Sequence, residues 1–69
     1  MRDINRMPSV LNSLHEAWKL FPDWRFCQLM SNFNDYIIRL KGVDMFHIED
    51  DEFIDLLDYF CREYSYGFK

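Results

Sequence analysis

Threonine is absent from the chain, and glycine, proline, cysteine and histidine occur only twice each. With so little glycine and only four serines, no loop resembles the glycine-rich turns that cradle phosphate groups. The candidate zinc ligands His15, His47, Cys27 and Cys61 come from four separate places, with no paired Cys-x-x-Cys spacing, so neither a metal site nor any other cofactor is expected. Two cysteines cannot make a disulfide framework. Cys27 and Cys61 both flank apolar helical positions, where a free thiol behaves as a small buried hydrophobe. No apolar run approaches the roughly 20 residues a membrane span requires. Met1 to Arg6 carries charge before any apolar run, which does not fit a secretory signal. These readings place the chain in the cytoplasm with reduced thiols. Basic residues are also few, eight against twelve acidic, and are scattered. A net charge of −4 argues against a nucleic-acid backbone as the main partner.

Apolar and aromatic side chains are abundant instead. They make up 49% and 19% of 69 residues, with seven Phe, four Tyr and two Trp. One small domain spanning residues 1–69 has little interior, so some of these rings are expected at the surface, where clustered aromatics mark protein contacts.

Ile4, Met7, Leu11, Leu14, Trp18 and Phe21 are spaced 3, 4, 3, 4, 3 and form one helical stripe, widened by Val10 and Ala17. The stripe predicts a first helix over residues 5–21, with Pro8 tolerated in its opening turn. Pro22 ends it, and Asp23 is the expected cap of a second helix over 24–41. That helix presents Phe26, Leu29, Met30, Phe33, Ile37 and Leu40 inward and stops at Gly42. Asn32, Asn34 and Asp35 leave a break near Asn34 as an alternative. Residues 43–48 read as an extended connector that turns Phe46 and Ile48 into the core. Glu49, Asp50, Asp51 and Glu52 open a third helix over 50–64, where carboxylates complement the helix dipole. Phe53, Leu56, Leu57, Phe60 and Tyr64 are its inward face, and residues 65–69 form a tail. The expected fold is all-α, a compact three-helix domain in which Trp18, Phe21, Trp24 and Phe26 supply much of the aromatic core.

Nothing in this pattern points to catalysis, so a non-enzymatic protein-binding module is the expected class. Asp51, Asp55 and Asp58 fall on one face of the third helix, with Arg62 four residues after Asp58 as a local partner. They are candidate contacts for a basic partner. Tyr59, Tyr66 and Phe68 lie off the inward stripe and are candidate anchors for a protein partner or a homodimer. One alternative is an acidic mimic that occupies a basic nucleic-acid site. Another is a helix-turn-helix reader using Arg25 and Gln28, although Asp23 and Asp35 flank them and no basic stripe accompanies them.

Arg6-Met7-Pro8, then Leu14 and Trp18, then Pro22-Asp23-x-Arg25 with Gln28-Leu29, then Phe46-x-Ile48-Glu49-Asp50-Asp51 form an ordered pattern across residues 6–60. It resembles a family of small uncharacterised helical proteins of bacteria and bacteriophages, with Cys27 standing where glycine is expected. The resemblance implies an all-helical fold and a phage or prophage origin, and brings no activity with it.

Overall fold

A computed structural model describes residues 3–67, with side chains through Ser65. Three helices are present, α1 (Arg6–Lys19), α2 (Phe26–Lys41) and α3 (Asp50–Gly67), and no strand occurs among the described residues. α1 and α3 lie side by side and parallel. Arg6 in the first turn of α1 pairs with Asp50 at the start of α3, while Phe21, just past the end of α1, meets Phe60 far along α3 with ring centres 5.9 Å apart. α2 crosses this pair obliquely. Arg39 donates a hydrogen bond to the Tyr64 hydroxyl, whereas Lys41, two residues on, pairs with Glu52. Those two partners are separated by twelve residues of α3, about 18 Å of helix.

The turn between α1 and α2 is a β-turn with Pro22 and Asp23 at its centre, closed by the Trp24 N–H donating to the Phe21 carbonyl at 3.0 Å. Phe21 and Trp24 stack across it, 4.3 Å apart and 10° from parallel. Asp23 is therefore a turn residue and does not cap α2. The N-cap is Arg25, and its backbone N–H donates to the Gln28 Oε1 at 2.7 Å. This is the side-chain-to-N-cap half of a capping box. Gln28→Ala should cost about 0.5–1 kcal/mol in chemical denaturation, while Asp23→Ala should fall within about 0.5 kcal/mol of wild type. Equal losses from the two changes would contradict this assignment.

α2 runs without a break through Asn34. Its side chain is used instead to hold the connector, accepting from the Met45 N–H at 2.7 Å. Gly42 ends α2 in the left-handed conformation (φ 74°), which glycine adopts without steric cost. Asp44 then accepts from the Phe46 N–H at 2.9 Å and closes a 3₁₀ turn over Met45–His47. The predicted extended run is thus a turn. Met45 and Ile48 pack on the core and Phe46 points out, 85% exposed. In an extended chain Phe46 and Ile48 would share a side, but a 3₁₀ turn separates them.

Leu29, Phe33, Ile37, Leu57 and Phe60 form the fully shielded centre, with Tyr36 added from α2. Phe26 and Leu40, predicted inward, are exposed ends of the α2 stripe, and Cys27 is exposed as well. α3 continues through residues 65–67, which were expected to be tail.

The larger correction concerns α1. Ala17 and Phe21 are buried while Ile4, Met7 and Leu11 lie in solvent. The edge facing α3 carries the small side chains of Ser13 and Ala17, which let two parallel backbones approach closely. Leu14, Trp18 and Phe21 still pack on the core, so the second half of the stripe is used and the first half is left in solvent.

Candidate protein-binding surfaces

The parallel packing of α1 and α3 leaves a groove of about 370 Å³ along their outer seam. Its floor is apolar, made by Ala17 of α1 with Ile54, Leu57 and Cys61 of α3, and Leu20 closes one end. Carboxylates stand on both walls, Glu16 on one side and Asp55 and Asp58 on the other. Local cations already touch two of them. Lys19 pairs with Glu16 at 3.0 Å, holding that carboxyl below its usual range, and Arg62 pairs with Asp58 at 2.9 Å as the sequence suggested. Both are solvent-exposed pairs within one helix, screened by water, so an incoming Lys or Arg can replace them at little cost. No basic side chain pairs with Asp55 among the described residues.

The predicted contact residues do not all converge here. Asp51 lies toward the start of α3, beside Asp3, Glu49 and Asp50. Tyr59 is 57% exposed, but it follows Asp58 by about 100° of helical rotation and faces away from α1. The Tyr66 side chain and Phe68 lie outside the described residues. Asn12, Ser13 and Glu16, a polar edge of α1 by composition, form one wall of the groove. The available signal was Ser13 and Ala17 at i, i+4, two small residues on one edge.

Cys61, in the groove floor, is buried, and that burial pushes its thiol from 9.0 up to about 11, with Asp58 adding a smaller push. The raised value makes the stabilising contribution of the neutral thiol fully present below about pH 9 and lost as pH rises through about 11. A thiol-reactive disulfide reagent at neutral pH should therefore label exposed Cys27 quickly and Cys61 only on unfolding. Two equally fast thiols would show that the groove floor is open.

A second surface is apolar. Met7 (48% exposed) and Leu11 (64%) line the outer face of the first half of α1, and Ile4 (69%) lies in the turn just before it. On the same side but near the end of α1, the Trp18 indole N–H donates to the Trp24 carbonyl at 2.8 Å and Trp18 meets Phe26.

Among the described residues Arg6, Lys19, Lys41 and Arg62 are each paired with a carboxylate, Arg39 donates to Tyr64, and Gln28 is engaged at the α2 cap. No group of three or more His, Cys, Asp or Glu among the described residues is arranged to hold a metal ion, and no helix is long and apolar enough to cross a membrane. No family model matches the chain, and no curated protein or solved structure shows a significant similarity to it.

Proposed function

We propose that the chain is a small non-enzymatic module that binds another protein through the α1/α3 groove. The observation that carries this reading is the apolar floor between walls of carboxylates whose present partners are exposed and replaceable. Such a groove suits a segment that combines basic with apolar side chains, the apolar ones seated over Ala17 and Leu57 and the basic ones meeting Glu16, Asp55 and Asp58. A phage or prophage origin, implied by the sequence resemblance, makes that partner a host protein. Immobilised wild type should retain one stoichiometric protein from a bacterial lysate, and the double variant Asp55→Lys/Asp58→Lys should lose it while keeping the helical circular dichroism of the wild type. Equal retention by both would remove the groove from the reading.

The acidic stripe supports a second reading, in which the chain occupies the nucleic-acid site of a basic protein. Asp51, Asp55 and Asp58 are all exposed on one face of α3. Salt separates the two. A mimic loses affinity steeply as ionic strength rises, whereas a groove contact with an apolar floor changes less.

A further inference from the structure

Both walls of the α1/α3 groove are helical. α1 lines it from Asn12 to Leu20 and α3 from Ile54 to Cys61, which makes it about 10–12 Å long, or two helical turns. The backbone groups of these walls are bonded within their own helices, and no strand occurs among the described residues, so an entering segment finds no sheet edge to join. An extended segment would turn part of its N–H and C=O groups onto the apolar floor of Ala17 and Leu57 without partners, and each such group costs free energy. A helix arrives with its backbone already bonded. Resting on the groove reading above, we infer that the occupant is one amphipathic α-helix of the partner protein, with basic residues on both flanks of its apolar stripe, lying antiparallel to α1 and α3.

Charge complementarity fixes the flanks and the direction. Glu16 stands on the α1 wall and Asp55 and Asp58 on the α3 wall, so an occupant meets carboxylates on both sides at once. A helix answers that arrangement with Lys or Arg on either side of an apolar stripe at i, i+3 or i+4, and i+7. The groove is not uniform along its length. Lys19 and Arg62 stand near the end closed by Leu20. Toward the other end the carboxylate row continues through exposed Asp51, one turn before Asp55, to Asp3, Glu49 and Asp50, where Arg6 is already paired with Asp50. The occupant's basic residues therefore concentrate toward the starts of α1 and α3. Cations are favoured in the last turn of a helix, and the positive dipole ends of α1 and α3 lie at that same end, so the occupant's C-terminus belongs there.

The probe is a display library of random peptides, each long enough for about four helical turns. It is selected on the immobilised full chain and counter-selected on the Asp55→Lys/Asp58→Lys variant. Retained sequences should show the helical apolar spacing, with Lys and Arg on both flanks and denser in the C-terminal half. The strongest binder, made as a free labelled peptide, should gain helical circular dichroism on binding. Proline at a solvent-facing position in its middle should weaken it at least tenfold by fluorescence anisotropy. Glu16→Lys, on the opposite wall from the selecting variant, should weaken it several-fold while the protein keeps its circular dichroism. A spin label at the peptide's C-terminus should broaden the amide signal of Asp51 more than that of Leu20, and a label at its N-terminus the reverse. Retained sequences of alternating or proline-rich pattern, tight binding that survives the proline, indifference to Glu16→Lys, or the opposite order of broadening would each overturn the antiparallel helical occupant and leave the groove reading standing. A library from which nothing prefers the wild type to the double variant overturns both.

Discussion

Phe60→Ala is expected to unfold the domain at ordinary temperature. Phe60 is fully shielded, and its ring meets Phe21, Trp24, Phe33, Tyr36 and Tyr64, with centre-to-centre distances of 4.5 Å to Tyr64 and 6.4 Å to Trp24. It therefore joins the turn, α2 and α3 through one side chain. Removing a buried phenyl ring costs about 3–5 kcal/mol, because the transfer term is lost and a cavity remains. A domain of this length has roughly 3–10 kcal/mol of stability in all, so the loss consumes most or all of it. Thermal and chemical denaturation should show no folded baseline or a much-reduced midpoint. Phe60→Leu, which keeps apolar volume, should retain a cooperative transition. A midpoint unchanged in Phe60→Ala would mean that the ring cluster does not organise this fold.

The second large effect is at Trp18, where Trp18→Ala is expected to cost about 2–3 kcal/mol, below the full range for a buried aromatic ring because Trp18 is only partly covered. Two contacts disappear together in that variant. One is the indole hydrogen bond to the Trp24 carbonyl, which ties the end of α1 to the turn, and the other is the ring contact with Phe26 at 5.5 Å. Trp18→Phe separates them. It keeps an aromatic ring and deletes the donor, so it should cost about 1 kcal/mol, the usual net value of one hydrogen bond. If Trp18→Phe is as damaging as Trp18→Ala, the hydrogen bond outweighs packing at this corner, and if it is neutral, the bond contributes nothing.

Several features were determined by sequence alone because their causes are local. Pro22 cannot continue a helix and suits the second position of a β-turn, so α1 had to stop beside it. Gly42 adopts a left-handed conformation without strain, and α2 ends there. Glu49 to Glu52 favour a helix start through dipole and capping effects, and Asp58 and Arg62 lie one turn apart on any helix. Phe53, Leu57 and Phe60 share a side by periodicity alone, and they pack together in the core. Asp44 also held a legible signal, since an aspartate readily accepts from the backbone two residues on and so favours a turn over an extended run.

Tertiary structure decided which neighbour each apolar stripe would meet. Periodicity states that α1 has an apolar side but not that the chain itself supplies a cover for it. Once α3 lies parallel to α1, the close approach selects the edge carrying Ser13 and Ala17, and the turn and the start of α2 meet α1 at Trp18. Ile4, Met7 and Leu11 are left in solvent as a consequence, and Asn12 and Glu16, polar by composition, become a wall of the groove. Exposure of Phe46 has the same origin, because the Asn34 side chain, eleven residues away, holds the connector backbone in its turn. Such outcomes depend on the distance between two helices and on which element crosses which, and no spacing within a single segment encodes either.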